Sequence, residues 1–137
     1  MKRHAKIYEM AGISEARLDE LKAICRQYRE NQKALRMARA GIEDRSEQIN
    51  TIWHATDPTA QIAVRMATHP AARRIKLIEN SAAAVATATI AKAIIKHVCD
   101  GATYAAILPP IGERQFYSIC RRFYIELDRR ITETEMR

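Results

Sequence analysis

A chain of 137 residues with a formal charge of +7 and a pI near 9.6 has room for one domain, or for one small domain plus a helical arm. The basic balance favours a polyanionic partner, either nucleic acid or an anionic membrane surface. No run approaches the roughly 18 apolar residues of a membrane span, and Lys2 and Arg3 have no apolar stretch behind them, so neither a span nor a secretory signal is expected.

Three cysteines, Cys25, Cys99 and Cys120, are odd in number and widely spaced, which predicts free thiols in a reducing cytoplasm. Four glycines and little strand-like alternation predict an all-α fold. Its expected parts are a long N-terminal helix, middle helices and a C-terminal helix-turn-helix. The expected division is an arm and linker over residues 1–56 and a helical domain over 57–137.

Residues 1–12 read as loose, with Gly12 as a break. Ser14 can cap a long helix, and Glu15, Asp19 and Glu20 suit its positive N-terminal end. Leu18, Leu21, Cys25, Tyr28, Gln32, Leu35 and Ile42 fall on a three-four spacing for about three heptads. That stripe either pairs with its own copy in a homodimer or packs on a later helix. From Asp44 to Thr56 the pattern weakens, and Ile49, Ile52 and Trp53 read as anchors for a connection. Asp57 and Pro58 form a helix start, Asp57 as N-cap and Pro58 as first helical residue. Ile62 and Met66 give that helix an apolar side, and His69-Pro70 interrupts it. Ile75, Ile78, Ala82 and Val85 resume a stripe. Residues 58–86 carry four basic side chains, Arg65, Arg73, Arg74 and Lys76, against one acidic, Glu79. Arg73 and Arg74 are therefore candidates for lying along a phosphate backbone. The Ala-rich stretch from Ser81 to Ala91 allows either close helix approach or a loop near Thr87 and Thr89.

Residues 90–131 read as three short helical segments with two breaks. Ile90, Ile94, Ile95 and Val98 keep a helical period, and Asp100-Gly101 ends the segment with glycine at a left-handed position. Thr103 can cap a second helix from Tyr104 to Leu108, which Pro109-Pro110 stops. After Ile111-Gly112, the residues Phe116, Cys120, Phe123, Leu127 and Ile131 mark the buried stripe of a third helix. Two helices joined by a tight turn and braced by an earlier one make a helix-turn-helix, whose later helix enters the major groove. The opposite face of this helix offers Arg114, Gln115, Tyr117, Ser118, Arg121 and Arg122. Arg114, Gln115 and Ser118 are the candidates for reading base edges. Tyr117, Arg121 and Arg122 are the candidates for holding backbone. Thr103 and Tyr104 are candidates for meeting a phosphate at the start of the preceding helix, against the plainer readings of a cap and a core residue. The plain reading of the whole face is a solvated basic surface on a bundle helix.

The order of these parts resembles the RinA/ArpU-type phage and prophage late-gene transcriptional activators. The matching pieces are Asp57 to Ala63, Arg73 to Ala82 and, most clearly, Ile111 to Phe123. In the last piece Glu113-Arg114 fall where the family has an acidic residue followed by Arg, and Phe116-Tyr117 where it has Phe or Ala followed by Tyr or His. Gly112 stands where the family has a capping Ser, and Gln115 where it has Thr. The resemblance implies a helix-turn-helix similar to region four of sigma factors, double-stranded DNA as partner, activation of late operons, and a place with the nucleoid in the host cytoplasm. It implies no cofactor.

Two other readings are non-enzymatic: a small terminase subunit that binds packaging DNA, and a module that contacts RNA polymerase without reading DNA. An enzyme is the weakest reading. His4, His54, His69 and His97 show no metal spacing and no pairing that builds a nucleophile and base, and no Gly-rich phosphate loop is present.

Overall fold

The computed structural model describes the backbone of residues 7–53 and 58–135 and the side chains of 7–41 and 59–135, and all its regular elements are helical. Seven named helices run in chain order: α1 Glu15–Arg26, α2 Tyr28–Trp53, α3 Pro58–Thr68, α4 Pro70–Val85, α5 Ala88–Asp100, α6 Tyr104–Ile107 and α7 Glu113–Glu135. A helical turn over residues 7–10 precedes them. The chain forms two compact units, Met1–Tyr28 with Leu77–Arg137, and Arg29–Lys76. These cut the chain elsewhere than the 1–56 and 57–137 division expected from the sequence.

The first unit is built on α1, α5 and α7, each packed on the other two, with α6 against α5. Its core is the meeting of three amphipathic stripes. α1 supplies Leu21 and Cys25, α5 supplies Ile90, Ile94 and Val98, and α7 supplies Phe116, Cys120, Phe123, Leu127 and Ile131, all buried. These are the positions that the three-four spacing predicts. Ile78 and Ala82 from the second half of α4 are also fully buried. Ser81 is buried between them and donates its hydroxyl to the Leu77 carbonyl at 2.6 Å, so no polar group is left unsatisfied there. Across the core, Arg17 on α1 donates from Nε to Asp128 on α7 at 2.7 Å, and its Nη1 reaches Glu20 at 3.0 Å.

Three expectations are corrected in this unit. Residues 1–12 are not loose throughout. Tyr8 and Ile13 are buried, and Gly12, at φ +77°, turns the chain so that the Ile13 N–H bonds the Tyr8 carbonyl at 2.8 Å. The long helix expected from Ser14 onward is two helices. Ser14 caps α1 by accepting from the Arg17 N–H at 3.1 Å, but α1 stops at Arg26. Gln27 closes a tighter last turn, its N–H bonding the Ile24 carbonyl at 3.2 Å, and α2 starts at Tyr28. No glycine or proline marks this break; it falls where the first unit's contribution from this part of the chain ends. The third segment of residues 90–131 is not short, because α7 continues to Glu135. Off the core stripe, the second half of this helix is laced by Arg129 and Arg130, both paired with Glu126, and by Arg129 with Glu133.

In the second unit, α2 remains helical as far as Trp53, into the stretch where the apolar pattern weakens. The side chains of Ile42, Ile49, Ile52 and Trp53, and the expected cap Asp57, lie outside the described residues. His69 separates α3 from α4. Pro70 opens α4, and the imidazole Nδ1 of His69 accepts from the Ala71 N–H at 3.0 Å, so the histidine caps the helix that its proline begins. Ala71, Ala72 and Ile75 are buried, while Met37 and Val64 are exposed. Of the two alternatives open for the Ala-rich stretch, a short break occurs: α4 ends at Val85 and α5 begins at Ala88, so Thr89 is helical, and Thr87 takes the N-cap position without a side-chain capping bond.

The core stripe predicts a sharp contrast along α7. Phe116→Ala removes a fully buried ring and is expected to cost about 3–5 kcal/mol. Its exposed neighbour, changed as Gln115→Ala, is expected to stay within about 0.5 kcal/mol of the parent. Urea unfolding followed by circular dichroism measures both.

Candidate functional site

α5, α6 and α7 are a helix, a single helical turn and a long helix joined by two tight connections. The first connection follows from glycine. Gly101 takes φ +73°, which frees its N–H to reach the His97 carbonyl, while the Ala102 N–H reaches that of Lys96. His97 adds a side-chain lock. Its Nδ1 lies 2.7 Å from the Ala102 carbonyl, which can only accept, so Nδ1 carries the proton. The same ring meets Phe116 and Tyr117 edge-on, at 5.7 and 5.4 Å between centroids. The end of α5 is thereby fixed to the start of α7.

The second connection is more strained. Thr103 caps α6 by accepting from the Ala106 N–H at 3.2 Å. Leu108, expected inside this helix, instead ends it in the left-handed region at φ +47°, with its N–H on the Tyr104 carbonyl at 2.8 Å. Among the described residues it is the one non-glycine with positive φ, and the conformation costs roughly 1 kcal/mol or more. The proline that follows disfavours continued helix at this position. Tyr104 holds the far side of the loop. Its hydroxyl donates to the Ile111 carbonyl at 2.6 Å and its ring lies 5.8 Å from that of Phe116. That hydroxyl hydrogen is committed to the loop and is not available to a phosphate. The hydroxyl hydrogen of Thr103 has no such commitment among the described bonds.

α7 starts without a side-chain cap. Gly112 contributes only its carbonyl, which accepts from the Phe116 N–H at 2.9 Å. The six candidate residues on this helix do not share one environment. Arg114, Gln115 and Arg122 are exposed, and Ser118 is half-buried between them. Tyr117 and Arg121 are also half-buried and turn towards α1. With Arg114 they line one side of a groove of about 1010 Å³. Its opposite side is Leu18 and Lys22 on α1, and Tyr8 and Tyr124 lie along it. Arg73 and Arg74 are both exposed near the start of α4, in the second unit.

Leu18, Lys22 and Tyr8 were not among the site residues expected from the sequence. About ninety residues separate Lys22 from Arg114, and no local pattern links them. The heptad position of Leu18 was the available hint, since it marks which side of α1 turns inward.

The buried ionisable groups here are held neutral. Burial pushes the Tyr8 hydroxyl and the Cys120 thiol each up to about 12, with Arg121 pulling both back in part. Cys25 is raised first by its hydrogen bond with Cys99 and then by burial. All three cysteines are free and buried. Among the described residues, no group of three or more His, Cys, Asp or Glu side chains is placed to hold a metal ion, and no helix is long and apolar enough to cross a membrane.

The loop between α6 and α7 predicts two opposite responses. Tyr104→Phe leaves the Ile111 carbonyl without its donor and is expected to destabilise by about 1 kcal/mol. Leu108→Gly relieves the left-handed strain of a side chain that is 75% exposed, and is expected to be neutral or stabilising by up to about 1 kcal/mol. Melting temperatures of the two variants check the pair.

No family model, curated protein or solved structure matches the chain.

Proposed function

We propose that this chain is a sequence-specific double-stranded DNA-binding transcriptional regulator, an activator of phage or prophage late genes of the RinA/ArpU type. The observation that carries the reading is the start of α7. There Arg114, Gln115 and Arg122 stand exposed on a helix whose opposite face is locked into a core, directly after a one-turn helix and two tight connections. A rigid helix presented in this way can enter a major groove. Arg114 has the fork geometry for guanine, and Gln115 the paired donor and acceptor for adenine. Ser118, shorter and half-buried, reaches only a base edge that comes close. Arg122 suits a backbone phosphate on the exposed side, and Tyr117 and Arg121 suit one on the side facing α1. Thr103 can donate its hydroxyl to a phosphate while it caps α6. Arg73 and Arg74 add sequence-independent attraction from the second unit, consistent with the basic balance of the chain. RNA polymerase is the protein partner that this reading implies.

The base-reading role is tested with a duplex selected by the parent protein from a random pool. Each good bidentate pair is worth about 1–3 kcal/mol of discrimination. Arg114→Ala and Gln115→Ala are expected to lose most of the preference for the selected duplex over random DNA, with melting temperature nearly unchanged. Preference that survives both changes in a competition assay removes this helix from base reading.

The phosphate role of α4 is read from salt. Replacing Arg73 and Arg74 together with Ala is expected to weaken binding to all duplexes alike. It should also flatten the dependence of log affinity on log salt by about 0.9 for each phosphate that the protein no longer neutralises. An unchanged slope in a salt titration takes α4 out of the interface.

A further inference from the structure

The groove between α1 and α7 shares Arg114, Tyr117 and Arg121 with the proposed DNA contacts, but its apolar bed and its α1 wall have no part in them. Its walls are two helical stripes. Leu18 and Lys22 are four apart on α1, so both sit on one side of that helix. Arg114, Tyr117 and Arg121 are three and four apart on α7, and Arg114 to Arg121 spans about 10 Å along the axis. Between the walls lie Tyr8 and Tyr124, both buried, and Ile7, which is 40% exposed. The groove therefore has an apolar bed and cationic edges.

The cations on those edges differ from others in the same unit. Arg17 is bound to Asp128 and Glu20, Arg129 to Glu126 and Glu133, and Arg130 to Glu126. Among the described residues, no ion pair within 4 Å engages Lys22, Arg114 or Arg121. Glu113 is the one acidic side chain on the groove lining. Three positive charges beside an apolar bed call for a partner that brings both negative charge and apolar surface. A DNA duplex offers its phosphates outward but has no apolar face to cover Ile7, Leu18 and Tyr8. An amphipathic helix with carboxylates flanking its apolar seam offers both.

We propose that this groove is a docking site for an acidic amphipathic helix of a partner protein. The partner's apolar seam lies over Tyr8, Leu18 and Tyr124. Its carboxylates meet Lys22 on one side and Arg114 and Arg121 on the other. Arg114 stands at the border between groove and DNA-facing surface, so occupancy of the groove and base reading by Arg114 are mutually exclusive. The proposal does not rest on the DNA reading.

The test uses the full chain and a labelled, stapled peptide of about 14 residues, long enough for four turns. The peptide carries Leu at three-four spacing, Glu on both flanks and Ala elsewhere. Controls replace every Glu by Lys, or every Leu by Ser. Anisotropy is expected to show saturable binding of the Glu peptide alone. Amide shifts are expected to cluster in α1 and the first half of α7. Lys22→Glu with Arg121→Glu should weaken binding by about tenfold or more, as reversed charge at a rim does. The milder pair Lys22→Ala with Arg121→Ala gives the same direction should the reversal unfold the chain, which circular dichroism reports. Gln115→Ala should leave peptide binding intact, and this separates a failure of the groove from a failure of base reading. Equal binding of the Glu and Lys peptides, or binding indifferent to Lys22 and Arg121, overturns the proposal. So does protection of Lys22 from acylation by random duplex but not by the peptide, which assigns the groove to nucleic acid.

Discussion

The arrangement of the first unit depends on the burial of one face of α7. Phe116, Phe123 and Leu127 are fully buried, on a helix that packs against both α1 and α5. Each such ring or branched chain contributes about 1.5–3 kcal/mol by leaving water. Together they fix the rotation of α7 about its own axis. Once that rotation is set, every other residue on the helix has its direction decided. Gln115 and Arg122 must point away from the core, and Tyr117 and Arg121 must point along its flank.

Phe116 has a second part in this. It is the shared neighbour of His97, Tyr104 and Tyr117, so the ends of α5 and α6 are both referred to one ring. His97 and Tyr104 complete the reference with hydrogen bonds to the Ala102 and Ile111 carbonyls. Each polar tip satisfies a loop carbonyl while each ring joins the aromatic cluster. Loops without regular structure are held to a rigid helix in this way, and a helix meant to present side chains to a partner gains from such support.

Charge divides α7 along its length. Its C-terminal half closes ion pairs within itself and, through Asp128, with Arg17 on α1. Its N-terminal half carries Arg114, Arg121 and Arg122 with little acid nearby. The exposed pairs of the first kind, such as Arg129 with Glu133, add little stability singly but neutralise the surface. Cations of the second kind leave a local positive field that a polyanion or an acidic helix can use. The chain's net charge of +7 is thus less informative than where the pairing is incomplete.

The sequence by itself determined what acts over a few residues. Ser14 and Thr103 as caps, Gly12 as a break, Gly101 as a left-handed turn, and the apolar stripes of α1, α5 and α7 were legible because hydrogen bonds and helical period are local. So was the exposure of Arg114, Gln115 and Arg122, which lie across the helix from Phe116 and Phe123. Only the tertiary structure decided that the first helix breaks at Gln27, where no helix-breaking residue stands. It alone decided that Leu108 takes a left-handed conformation to close the loop, and that the Tyr104 hydroxyl is bound to Ile111. It also brought Lys22 and Leu18 opposite Arg114 and Arg121. The reason is the same in each case. These features depend on which faces meet across the core, and that choice is made by packing between residues too far apart in the chain for any spacing rule to connect.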